Sequence, residues 1–131
     1  MDEPNQATLG QLQLDAAVRK GIRAFLNRLE DEALPPVSRC ILYGSYARGQ
    51  FDKNSDVDLA VVFPGETPDS RTQVRLGWAL CDIQSQVLLD TQVLVSQYPV
   101  WEDQLRNTDG QRNPQFFRNV LADGIEVSEG L

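Results

Sequence analysis

Leu14, Val18, Ile22, Phe25 and Leu29 step along the chain by four, four, three and four residues. That spacing lays one apolar stripe on an α-helix and predicts a helix over 11–32, with Asp15, Arg19, Arg23 and Arg28 on flanking faces. Gly21 lowers helix propensity there without ending the helix. Leu34-Pro35-Pro36 ends it, because proline cannot continue the hydrogen-bond ladder and pushes the residue before it into extended backbone. The run Val37 to Tyr43 reads as a first strand. Asp56 leads into a second one through Leu59-Ala60-Val61-Val62-Phe63. Between them lie a Gly44-Ser45 corner, a turn of helix closed by Gly49, and a polar loop.

Pro64 to Pro68 is a loop, after which Asp69 or Ser70 caps a helix running to about Ser85. Val74, Trp78, Cys81 and Leu80 are its expected apolar side, with Trp78 in the core rather than stacked on a nucleotide. Gln86 to Ser96 is predicted as a third strand interrupted by Asp90. Pro99 suits the first position of a further helix, to about Asn107. Asn113-Pro114 caps a last helix over 114–123, closed by Gly124 and packed through Phe116, Phe117, Val120 and Leu121. Ile125 to Val127 ends the pattern as a short strand. Residues 1–10 are polar, include Pro4, and are expected to be disordered, leaving 11–131 as a single domain. The fold class is α/β (α+β): a small mixed sheet of about three to four strands flanked by helices.

Composition narrows the chemistry. The chain of 131 residues carries 19 acidic and 12 basic side chains, a formal net charge of −7. An acidic balance argues against direct nucleic-acid binding, which needs clustered Lys and Arg. It suits a basic protein partner, and equally an ordinary acidic protein of the cytoplasm. The chain contains no histidine, so His-based acid–base catalysis and Zn–His sites within it are excluded. Cys40 and Cys81 have no Cys-x-x-Cys spacing and are expected to be buried, reduced thiols. No signal peptide or long apolar run is present, so a cytoplasmic location without membrane contact is the expectation.

The candidate chemistry lies between Tyr43 and Leu59. Strand residues two apart share a face, so Asp56 and Asp58 project together while Val57 and Leu59 face the other side. Paired carboxylates raise each other's pKa unless a cation sits between them. Oxygen ligands of this kind suit Mg²⁺, which leans on substrate phosphates for part of its shell. Gly44 permits close approach of backbone, and the N–H groups that follow favour anions. A metal-binding pair beside a phosphate cradle is a nucleotide site.

Gly-Ser-Tyr-Ala-Arg-Gly (44–49) followed by Ser-Asp-Val-Asp-Leu (55–59) resembles the polymerase-β-type nucleotidyltransferase superfamily, and within it the minimal single-domain MNT proteins often encoded beside HEPN-domain toxins. Asn-Pro-x-x-x-Arg-Asn and the later Asp-Gly-Ile resemble the tail of that branch. The resemblance implies that Asp56 and Asp58 hold one or two Mg²⁺ ions on a nucleoside triphosphate such as ATP, and that Ser45 holds its outer phosphates. A third carboxylate comes from the neighbouring strand in this superfamily. Asp90 is the strand candidate, either completing a second metal and drawing a proton from the acceptor, or ending a strand segment at a bulge. Arg48 pairs with phosphate or braces the loop through a carboxylate. Lys53 screens the triphosphate or is a solvated loop lysine. Of Tyr43 and Tyr46, one touches the base and the other packs.

Three functions follow from the resemblance. One is a Mg²⁺-dependent antitoxin that moves AMP from ATP onto a tyrosine hydroxyl of a HEPN toxin, the reading favoured by the intact motifs and by the lack of a domain to grip another acceptor. Another is transfer to a small molecule, which requires self-association (a homo-oligomer) or a second subunit to supply the acceptor site. The last is a protein-binding antitoxin without catalysis.

Overall fold

The computed structural model describes residues 3–31, 34–52 and 54–128. Five strands form one mixed sheet: β1 (Asn5–Thr8), β2 (Arg39–Tyr43), β3 (Val57–Phe63), β4 (Val95–Trp101) and β5 (Ile125–Ser128), in the spatial order β1-β5-β2-β3-β4. β2 runs antiparallel to both of its neighbours, while β3–β4 and β1–β5 are parallel pairs. A parallel pair needs a crossover, and α3 (Ser70–Thr91) supplies it between β3 and β4.

Alternation along the strands splits the core in two. Val57, Leu59, Val61 and Phe63 face one layer, made by α1 (Ala16–Asp31) and α3. Ala60 and Val62 face the other, covered by α4 (Glu102–Arg106) and α5 (Pro114–Asp123) through Leu105, Phe117, Val120 and Leu121. In α1 the predicted stripe from Val18 to Leu29 is the buried one, with Ile22 and Phe25 fully enclosed, but the helix begins at Ala16 rather than Gln11 and leaves Leu14 half-buried ahead of it. Gly21 belongs to the same face, where an added Cβ would meet the Val93 side chain at 2.6 Å. α5 runs over the residues expected from its caps; Asn113 Oδ1 accepts from the Phe116 N–H at 3.4 Å. β5 forms where the terminal strand was expected.

Five expectations are corrected. Residues 5–8 are not disordered: they pair with β5 as a fifth strand, and Leu9 behind them is fully buried. The third strand does not begin at Gln86. α3 continues to Thr91 because Leu76, Leu80, Ile83 and Val87 form its buried stripe, so Asp90 stands on a helix. Val74, Trp78 and Cys81 lie on the opposite, solvent side of that helix; Trp78 is 70% exposed and Cys81 is an exposed thiol. Cys40 alone is the buried thiol, and burial pushes its pKa up to about 12. Pro99 does not start a helix. It sits inside β4 opposite Val61, tolerated because β4 is an edge strand with one side free of ladder bonds. The helix there begins at Glu102.

Arg39, which no motif singled out, joins remote parts of the sheet. Its guanidinium contacts Glu102 at 2.9 Å, Glu3 at 3.0 Å and Glu126 at 3.4 Å. No helix among the described residues is long and apolar enough to cross a membrane.

Candidate active site

At the end of β2 the chain turns at Gly44 into α2 (Ser45–Arg48), a single helical turn. Gly44 adopts φ 75° and ψ −152°, a region that only glycine occupies without strain. Gly49 ends the turn in the left-handed conformation, φ 71°. The Arg48 N–H bonds back to the Gly44 carbonyl at 3.1 Å. The preceding N–H groups, those of Ser45, Tyr46 and Ala47, open a helical turn with no acceptor four residues earlier. Tyr46 holds this turn down: it is buried and stacks on Phe51 with ring centroids 4.3 Å apart.

The loop leading to the acids folds on itself. Asp52 Oδ1 accepts from the Asn54 N–H at 2.8 Å, and the Asp52 N–H donates to Ser55 Oγ at 2.9 Å. Asp56 then precedes β3 and Asp58 lies within it. Val57 and Leu59 point into the α1/α3 core, which leaves the Asp58 carboxylate on the other side of the sheet, with Asp56 at the mouth of the strand close enough for its charge to act on Asp58. Asp58 pairs in register with Tyr43. A Cβ placed on Gly44 would overlap Asp58 Oδ2. The glycine corner and the carboxylate are therefore in direct contact, across the two strand ends.

Burial first, and then the Asp56 charge, raise the Asp58 carboxyl above its ordinary range, while Arg48 acts the other way. Burial, Asp58 and Tyr98 together push the Tyr43 phenol up to about 12. Tyr43 packs edge-on against Phe116 at 5.5 Å, and Tyr98 lies against the same ring at 4.6 Å. Both tyrosines thus sit on the face of the sheet that carries Asp58.

The structure brings Gly44, Ser45, Arg48, Asp56 and Asp58 together. It does not add Asp90, whose carboxylate stands near the end of α3 and pairs with Arg28 on α1 at 2.8 Å. The acid expected on the neighbouring strand is not there: β4 places Ser96 beside Asp58 and Tyr98 beside Ala60. Sequence reasoning missed Ser96 and Tyr98 because the strand was set too early; the stripe from Leu76 to Val87 was the signal that would have moved it. Lys53 lies outside the described residues. Among those described, no group of three or more His, Cys, Asp or Glu side chains is placed to hold a metal. The pair Asp56–Asp58 fits one divalent ion, with substrate oxygens and water filling its shell. A cleft of about 250 Å³ runs beside Asp56, between Tyr46, Ser55, Gln92 and Leu94. The larger cleft, about 500 Å³ between the end of α1 and strands β2 and β5, holds none of these groups.

Asp90→Asn should therefore leave turnover within about two-fold of wild type and cost no more than about 1 kcal/mol of stability, the range of an exposed ion pair. A nucleotidyl-transfer assay and a thermal melt check this, and a loss of activity comparable to that of the Asp56 or Asp58 variants would return Asp90 to the site.

A nucleotidyltransferase domain family model matches residues 22–113, which takes in the Gly44 corner and both aspartates. The chain belongs to the nucleotidyltransferase family. Over 105 residues, this nucleotidyltransferase is 30% identical to a "putative protein adenylyltransferase" of Methanocaldococcus jannaschii, covering 80% of this chain and 92% of that one. Its fold is similar to the crystal structure of a "putative nucleotidyltransferase" from Sulfolobus solfataricus, with a TM-score of 0.50 and 16% identity over 89% of this chain and 90% of the other. The family model stops just before α5 and starts after β1, so the elements that complete the sheet lie outside the matched segment.

Proposed function

We propose that this nucleotidyltransferase moves AMP from ATP onto a hydroxyl of a protein partner. The observation that carries the reading is the contact between the Gly44 corner and Asp58. A triphosphate held by the turn at Ser45 lies beside the carboxylates that bind its cation. A Mg²⁺ ion between Asp56 and Asp58 would neutralise charge that develops on the phosphates. The chain's own groups do the positioning, which is most of the work in phosphoryl-type transfer. Ser45 Oγ and the first amides of α2 bind phosphate oxygens, and Arg48 balances charge next to Asp58. The acceptor oxygen bonds to the α-phosphorus, the bond from that phosphorus to the bridging oxygen breaks, pyrophosphate leaves, and the hydroxyl proton passes to solvent.

A protein acceptor is supported by the name of the M. jannaschii relative and by the net charge of −7, which favours encounter with a basic partner. By the resemblance of its motifs to single-domain MNT proteins, that partner is a HEPN toxin, the acceptor a tyrosine, and this chain its antitoxin. The test is co-expression with the neighbouring gene product, separation under denaturing conditions, and intact-mass measurement of the partner. The expected result is added nucleotide mass on a tyrosine and inactivity that persists after refolding. An unaltered mass, with activity restored on removal of this chain, would overturn protein adenylylation in favour of inhibition by contact.

A further inference from the structure

α3 presents a second apolar face, distinct from the buried one. Val74, Trp78, Leu88 and Leu89 are 58%, 70%, 41% and 81% exposed, and Cys81 and Ser85 lie between them, also exposed. The positions 74, 78, 81, 85 and 88 step by four, three, four and three, the seam spacing of paired helices. The helix is 22 residues long, about 33 Å at 1.5 Å per residue, so the seam extends over most of its length. Its outer charges are sorted by end. Arg71 and Arg75 stand in the first two turns, while Asp82 stands in the second half. Arg71, Arg75 and Asp82 fall on one flank of the seam at 3.6 residues per turn. Among the described residues none of these three forms an ion pair within the chain.

We propose that this face binds the same face of a second copy of the chain, the two α3 helices antiparallel about a twofold axis between Trp78 and Cys81. In that arrangement equal flanks of the two seams meet. Arg75 of one copy lies near Asp82 of the other on each side of the axis, Trp78 meets Cys81, and Val74 meets Ser85; Asp90, held by Arg28 of α1, takes no part. A parallel pair would bring unlike flanks together and separate Arg75 from Asp82. A self-complementary patch of this kind closes as a dimer, and the order of charges along α3 selects a second copy over a uniformly basic partner. α3 packs on the side of the sheet away from Asp58, so both active sites stay open in the dimer. The inference does not depend on the acceptor proposed above.

Light scattering on a dilution series of the whole chain should give twice the monomer mass at high concentration. Trp78→Glu with Leu89→Glu should give a monomer with unchanged circular dichroism, since both side chains are exposed. A charge exchange tests the orientation. Arg71→Glu with Arg75→Glu in one variant, and Asp82→Arg in another, should each weaken self-association by roughly ten-fold or more through like-charge contact. Mixing the two variants should restore a dimer containing one copy of each. A wild-type chain that stays monomeric throughout, or a dimer that survives the Trp78/Leu89 double variant, would overturn the interface. Charge variants that dimerise as well alone as mixed would overturn the antiparallel pairing.

Discussion

Asp56→Asn with Asp58→Asn is expected to abolish nucleotidyl transfer while leaving the fold intact. The substitutions keep shape and remove both anionic ligands. Several kcal/mol of charge stabilisation in the transition state go with them, and about 4 kcal/mol corresponds to a loss on the order of 10³-fold. Divalent-dependent nucleotide binding should vanish in the same variant, as titration calorimetry with and without a chelator would show. Stability should move the other way. The folded-state pKa of Asp58 is raised by burial and by Asp56, so the native state prefers the proton more than the unfolded chain does. That preference favours folding below the ordinary carboxylate pKa, and its benefit is lost as pH rises through the raised value. At neutral pH the metal-free protein therefore carries an unfavourable charge at Asp58. The double variant should melt at the same or a higher temperature than the metal-free wild type. Added Mg²⁺ should raise the melting temperature of the wild type alone. Turnover retained in the double variant would remove the carboxylates from the chemistry.

Gly44→Ala should be nearly as damaging to activity, and for a different reason. Its backbone conformation is one that glycine alone tolerates, which costs roughly 1–3 kcal/mol in any other residue. The new methyl would also occupy the space of Asp58 Oδ2, so either the corner or the carboxylate must move. Gly49→Ala separates the two effects. Gly49 has a positive φ as well, but a Cβ there meets nothing within 4 Å. It should lose about 1–2 kcal/mol of stability and keep its activity. Measured side by side, equal turnover in the two variants would show that contact between Gly44 and Asp58 is not required.

The parts of the molecule legible in the sequence are those set by local rules. The Gly44 corner, the Asp56–Asp58 alternation, the α1 stripe and the Asn113-to-Gly124 helix each carry their own signal within a dozen residues or so. What escaped was decided by packing at a distance. Val87-Leu88-Leu89 is as good a strand as a helix when read alone, and only the stripe that begins at Leu76 assigns it to α3. Choosing Val74, Trp78 and Cys81 as the core put the wrong side of that helix inward, because two apolar faces compete there and the sheet selects one. Misplacing the strand then took Asp90 with it into the metal site, and left Ser96 unnoticed. The fifth strand had no local mark at all. Asn5 to Thr8 becomes a strand because β5 offers it an edge.

That edge arrives late. β5 separates β1 from β2 in the sheet, so residues 5–8 have no partner strand until residues 125–128 have been synthesised and have joined β2. During translation residues 5–8 must wait for residues 125–128, with the side of β2 that receives β5 unpaired in the interval. Loop-closure entropy across nearly the whole chain is paid at this final step. The Arg39 contacts to Glu3 and Glu126 tie both of these late-meeting segments to β2.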